Sequence, residues 1–252
     1  MAAHELSQSF KREDASNDPA SQFIGGRVTL ADRVYNQIRR ALMSGSFLPG
    51  QTLTIDQLSS LYGVSHMPVR EALRRLTAVE ALEITQNGAT RIPQVSLTRL
   101  DDICTNRLLT EGHAVAKAAK QISPETIEKI QSVVTAHEQC RRDNKIYEML
   151  ELNQQIHFDI YRAAGSPVLT QIIENLWLRH GPYMCLLTAD LNKRILPDST
   201  IYVGPGHKMM LDALRAGDAE AAVEGLRTDI MGPQESLREL CSAYNEAQKV
   251  QS

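Results

Sequence analysis

The stretch VSHMPVREALRRL, Val64 to Leu76, decides how this chain is read. Taken as a helix from Ser65, it puts Val69, Ala72, Leu73 and Leu76 on one face at i, i+3, i+4 and i+7. The other face carries Met67, Arg70 and Arg74, flanked by His66 and Arg75. Ser65 suits the N-cap, and Pro68 falls in the first turn, where a missing N–H costs nothing. One side is built to pack and the other to present arginine. An amphipathic surface helix with a Glu71–Arg75 solvent pair would share this pattern, so the neighbouring segments matter.

Upstream, TIDQLSSLYG has Thr54 and Gln57 at capping-box spacing and Ile55, Leu58 and Leu61 at helical spacing. Gly63 suits a tight turn into Ser65, which makes the unit a helix-turn-helix. Downstream, LEITQNGATRIPQV alternates apolar and polar residues around Asn87-Gly88, a pair that predicts a two-residue hairpin turn. A helix-turn-helix followed by a hairpin is a winged helix, and a winged helix with an arginine-bearing second helix points to DNA. Before it, Leu30 to Met43 reads as a helix with Leu30, Val34, Ile38, Ala41 and Leu42 inward.

Residues 29 to 95 resemble the winged-helix domain of the GntR family of bacterial transcriptional regulators. The matching residues include Leu30, Ile38-Arg39, Gly45, Pro49-Gly50, Leu53, Val64-Ser65, Pro68 to Leu73, Leu76 and Gly88. The family commonly has Arg-Thr where this chain has His66-Met67, so its operator sequence is not carried over by the resemblance. In the family, the arginine matching Arg39 contacts the DNA backbone, which fixes register without reading bases. The candidate DNA contacts are therefore Arg39, Ser65, His66, Met67, Arg70, Arg74, Arg75 and, in the wing, Gly88.

Charge is unevenly placed. Residues 27–93 carry eight arginines against five acids, a surplus of three in a chain whose formal net charge is −3, so the remainder stands at −6. A basic module on an acidic body fits a DNA-binding head on a ligand-binding or dimerising body. The four cysteines show no C-x-x-C spacing and read as reduced thiols. With no apolar run of membrane-spanning length and no signal-peptide core, the expected location is the cytoplasm and no membrane partner is expected. The expected division is a mobile polar tail over 1–26, a winged helix over 27–95, and a helical domain over 96–247.

Beyond Val95 the chain is mainly α. Helical periodicity recurs over 98–121, 124–143, 145–164, 167–187, 206–216 and 218–246, the last with a break expected at Gly232-Pro233. That predicts an all-α bundle of about six helices. Asn192 to Gly206 reads as one long loop able to cover a pocket. The fold class is thus a winged helix-turn-helix plus a C-terminal helical bundle.

The first body helix places Arg107 and Glu111 four apart on one face, either as a buried pair or as an offer of guanidinium to an anion. This segment resembles the opening of the FCD domain, the helical ligand-binding domain of the FadR branch of GntR regulators, and the likeness extends over most of 98–245. There the family pattern D-x-x-F-H becomes N-Q-Q-I-H, giving Asn153 and His157 on one helix face. His207 and Asp229 stand ten before and twelve after Gly217, so an antiparallel hairpin sets them at similar heights, roughly 15 and 18 Å from the turn. In the family both positions are commonly histidine and join the first motif in binding a divalent metal. Asp becomes Asn at 153 and His becomes Asp at 229, which keeps the formal ligand charge at −1.

The resemblance therefore implies a metal site at Asn153, His157, His207 and Asp229, with an N/O donor set suited to Zn, Ni or Mn. A metal-free bundle whose polar residues bond one another is the alternative. Arg107 and Arg179 are the arginines expected to face the interior and hold a small organic acid effector. His113, His137 and His180 receive no role. The resulting reading is a homodimeric, ligand-responsive regulator binding an operator in double-stranded DNA. A DNA-binding protein with a purely structural body and a metal-dependent hydrolase are the competing readings, and no enzymatic activity is expected.

Overall fold

A computed structural model describes residues 29–194 and 205–251. The expected tail over 1–26 and most of the 192–206 loop lie outside the described residues. The element order is α1 (Leu30–Met43), β1 (Thr52–Leu53), α2 (Ile55–Tyr62), α3 (His66–Ala78), β2 (Glu83–Ile84) and β3 (Thr90–Arg91), then α4 (Leu97–Ala119), α5 (Pro124–Arg142), α6 (Ile146–Ala163), α7 (Pro167–Arg194), α8 (Gly206–Ala216), α9 (Ala219–Met231) and α10 (Gln234–Gln251).

The head is a winged helix. Thr29 caps α1 through a reciprocal capping box with Asp32, Thr54 caps α2 by accepting from the Gln57 amide, and Gly63 ends α2 in the left-handed region at φ 62°. Val69, Ala72, Leu73 and Leu76 are all buried, as the periodicity predicts. The small sheet runs β1-β3-β2, with Leu53 opposite Thr90 and Glu83 opposite Arg91, all antiparallel. Two local expectations change. Leu30 is 49% exposed, because it is the first residue of α1 and precedes the turn that meets the core. The hairpin loop has three residues and not two. Gly88 N–H donates to the Thr85 carbonyl while Thr85 and Ala89 still pair, and Gly88 alone takes positive φ, at 78°. Asn87 stays at negative φ, which is the type I turn with a glycine bulge.

In the body, helix starts follow the sequence closely. Ser96 caps α4, Ser123 caps α5 with Pro124 behind it, and Asp218 caps α9 after Gly217 closes α8 at φ 68°. The last predicted helix divides at Gly232-Pro233, so the described body holds seven helices where about six were expected. α7 runs on past Pro182 to Arg194.

Head and body share one continuous apolar core, in which Ile38 and Leu42 of the head belong with Ile173 and Leu178 of α7. The join is close. A Cβ on Gly181 of α7 would sit 2.3 Å from the Leu42 carbonyl oxygen of α1, and one on Gly45 would sit 2.5 Å from the Cys185 amide nitrogen. The Arg39–Glu174 ion pair at 2.9 Å and the Tyr244 hydroxyl on the Pro49 carbonyl at 2.9 Å reinforce it. All four cysteines are free thiols. Among the described residues, no helix is long and apolar enough to cross a membrane.

Candidate functional sites in the head and the bundle interior

On α3, Ser65, His66, Met67, Arg70 and Arg74 are exposed, so the polar face remains open. Arg74 lies along Glu71, with Nε and Nη2 at 2.9 and 2.8 Å from its two oxygens. His66 Nε2 is 3.2 Å from Asp56 of the preceding helix. Gly88 is exposed at the tip of the wing. Arg75 is different. Its guanidinium stacks 3.9 Å over the Tyr35 ring and bonds Asp32 at 2.8 Å, bracing α3 against α1. Thr29 and then Arg75 hold the Asp32 carboxyl below its usual range. Arg39, expected at a phosphate, is turned the other way and held by Glu174 of α7, with its side chain only 12% exposed. Helical phase gives an angle around α1 but not that α7 packs there.

The second site lies inside the bundle. α6 carries Asn153, His157 and Tyr161 one turn apart; α8 opens with His207, and α9 brings Asp229. The hairpin of α8 and α9 is tight because two glycines let the backbones touch. A Cβ on Gly206 would lie 2.6 Å from the Asp229 Cβ, and one on Gly225 would lie 2.6 Å from the Met210 nitrogen. Hence His207 and Asp229 converge on His157. His157 Nε2 is 3.0 Å from Asp229 Oδ2 and 3.2 Å from His207 Nε2, and His207 Nε2 is 3.3 Å from Asp229 Oδ1. A tetrahedral ion with bonds of about 2.0–2.1 Å has ligand–ligand edges of about 3.3 Å. The three donors therefore already stand at coordination spacing. Asn153 is half-buried one turn before His157.

Both histidines are buried, and the Asp229 side chain is 21% exposed. Burial lowers the His207 pKa, with Asp229 pulling the other way. Burial would raise the Asp229 carboxyl, but His207 and His157 hold it well below its usual range. His137 of α5 adds its ring edge-on to His207 at 5.0 Å, and burial followed by His207 pushes it down to about 3. Its Nδ1 is buried without a hydrogen bond, as is Nε2 of His180 on α7. Neither histidine received a role from the sequence.

Beside this triad Glu111 is fully buried and saturated with donors. Oε1 accepts from Arg107 Nε at 2.7 Å and Trp177 Nε1 at 3.0 Å, and Oε2 accepts from Arg107 Nη2 at 3.3 Å and the Tyr161 hydroxyl at 2.5 Å. The same hydroxyl lies 3.0 Å from His157 Nδ1. Burial alone would lower the Arg107 pKa, but Glu111 reverses that and raises it. Arg107 thus faces the interior as expected, with one edge spent on Glu111. Arg179 does not. Its Nε donates to the Val79 carbonyl at 3.3 Å and its Nη2 pairs with Glu80 at 3.2 Å, so it clamps the end of α3. The next residue on α7, His180, is the one turned inward. Trp177 and Tyr161 gave no sequence signal of their own, since each matters only once three helices meet.

A winged helix with an open arginine-bearing face, fused to a helical bundle with a buried polar centre, defines a transcriptional regulator that binds DNA. Residues 30–92 match the bacterial regulatory proteins of the gntR family, and residues 102–231 match the FCD domain. The chain belongs to the GntR family and carries an FCD domain. The HTH-type transcriptional regulator McbR of Escherichia coli (strain K12) is 30% identical over 218 residues, covering 86% of this chain and 96% of McbR. The HTH-type transcriptional repressor GlaR of the same organism is 25% identical, covering 79% and 91%. The solved structure of E. coli McbR/YncC superposes with a TM-score of 0.77 at 29% identity, covering 86% of this chain and 100% of that one. A putative transcriptional regulator GntR from Rhodococcus sp. RHA1, at 18% identity and a TM-score of 0.62, shares the fold.

Proposed function

We propose that this regulator senses a small carboxylate through a divalent metal held by His157, His207 and Asp229, and that occupancy changes its affinity for an operator. The observation that carries this reading is the convergence of three buried or half-buried donors, all within 4.8 Å of one another. An N/O set without thiolate suits Zn, Ni or Mn. When bound, the ion would supply positive charge and open coordination positions for a carboxylate. The chain's own contribution is to aim His157 and His207, to shield the centre from water, and to offer cation nearby. Glu111 holds the Nε–Nη2 edge of Arg107, and this reading assigns the Nη1 end to the anion. Arg179 drops out of the effector set, because it is engaged by the head.

In this reading residues 27–95 bind DNA and 96–247 sense and dimerise, in a cytoplasmic homodimer. Dimerisation follows from the short recognition element, since one module contacts too few base pairs for specificity. The names of the relatives favour a regulator over a hydrolase.

The test is direct. Purified protein should retain divalent metal, lose it in His157→Ala, and gain melting temperature with Zn, Ni or Mn and further with an organic acid. The same acid should shift operator affinity, and by linkage the operator should shift acid affinity by the same factor. Metal-free protein that none of the three ions stabilises sinks the metal reading and leaves a body with a structural role only.

A further inference from the structure

Counting protons around Glu111 fixes more than the carboxylate. Glu111 accepts twice from one edge of a guanidinium, from an indole N–H and from a phenol, so it is ionised and has no proton to give. The Tyr161 hydroxyl owns one proton, and at 2.5 Å from Glu111 Oε2 that proton points at the carboxylate. What the hydroxyl turns to His157 is then a lone pair. At 3.0 Å, His157 Nδ1 must be the donor. The alternative, Tyr161 donating to His157, would leave two bare oxygens 2.5 Å apart inside the bundle.

We propose that Tyr161, oriented by Glu111, is the positioning residue that holds an N–H on His157 Nδ1, so that Nε2 is the atom turned to Asp229 and His207 and the proton it shares with Asp229 is the one a metal would displace. The proposal rests on the metal-site reading for its purpose, but the proton placement stands independently of it. Histidines that bind metals usually donate their other ring N–H to a carboxylate or carbonyl, and removing that outer partner weakens binding about 10–100-fold. Here the carboxylate acts through a phenol. The arrangement also explains why a full carboxylate is buried with its arginine beside the triad: Arg107 balances Glu111, and Glu111 is left to set Tyr161. The i, i+4 spacing of His157 and Tyr161 on α6 makes the contact local, whereas Glu111 arrives from α4.

The test compares full-length wild type with Tyr161→Phe and Trp177→Phe. Trp177→Phe removes another Glu111 donor but no hydrogen bond to His157, and keeps an aromatic ring against the imidazole, so it controls for mere loosening around the carboxylate. Long-range proton–nitrogen NMR of the imidazoles reads whether Nδ1 of His157 is protonated, and competition with a chromogenic chelator reads zinc affinity. Expected results are a protonated Nδ1 in wild type and in Trp177→Phe, loss of that preference in Tyr161→Phe, and a 10–100-fold weaker zinc site in Tyr161→Phe only. A wild-type His157 with Nδ1 unprotonated overturns the proposal without any variant. Equal zinc affinity in Tyr161→Phe and wild type also overturns it. If wild type binds no zinc, the metal reading fails, and the NMR result alone decides the role of Tyr161.

Discussion

Breaking the Arg107–Glu111 pair from each side gives a stringent test of the bundle interior. Both side chains are buried, at 9% and 0% exposure. Arg107→Met leaves a carboxylate with only Tyr161 and Trp177 as donors, while Glu111→Gln keeps one acceptor oxygen but strands a guanidinium. Losing one partner of a buried ion pair typically costs about 3–5 kcal/mol, mostly because the remaining charge is uncompensated. In a unit of 150–250 residues each kcal/mol moves the melting temperature by about 2–4 °C, so either single change should lower it by about 6–20 °C. The double variant removes both charges and should be far less damaged than the sum, with a coupling of at least about 2 kcal/mol in urea unfolding. Costs that add to within about 0.5 kcal/mol would refute the pair as drawn, and with it the assignment of Glu111 as an ionised centre.

Arg70→Ala should weaken specific operator binding by about 1–3 kcal/mol in an anisotropy titration with the melting temperature unchanged. Arg75→Ala should do the reverse, losing about 1–2 kcal/mol of stability because it stacks on Tyr35 and pairs with Asp32; a stable variant with altered operator preference would return Arg75 to the DNA face. Gly181→Ala adds a methyl that would lie 2.3 Å from the Leu42 carbonyl oxygen. It should cost about 1–3 kcal/mol despite the better helix propensity of alanine, and should speed proteolytic cleavage between head and body. Cleavage and stability like wild type would show that the head does not dock on α7 as described.

The recognition helix was legible because its information is local. Pro68 and the Val69–Leu76 stripe set phase and buried face within a dozen residues, and Ser65 takes the N-cap position although its side chain makes no capping hydrogen bond. The convergence of His207 and Asp229 is also readable, since a helical hairpin about Gly217 fixes their heights, whereas Gly206 and Gly225, which let the helices close, show that role only once the helices are packed. The errors fell where distant elements meet. Helical phase does not say that α7 lies against α1 and the end of α3, where Glu174 of α7 takes Arg39 while Val79 and Glu80 of the head take Arg179. The wing turn failed for a smaller reason: Asn-Gly is compatible with two loop lengths, and the Thr85–Ala89 pairing chose the longer. Tyr161 was invisible because a tyrosine four residues after a histidine has meaning only when a carboxylate from another helix reaches it.

Trp177 is the only tryptophan in the chain. Its ring centre is 5.3 Å from that of His157, and the Arg107 guanidinium lies 4.8 Å over its face. All indole emission from the protein therefore originates at one address, between the triad and the helix that grips the head. No dye or label is needed to watch the site. A paramagnetic ion such as Ni or Mn at the triad would quench that light where Zn would not, so a fluorimeter separates the candidate metals. Because α7 holds both Trp177 and the Glu174 that binds Arg39, the same signal reports in real time whether loading the interior disturbs the grip on the head.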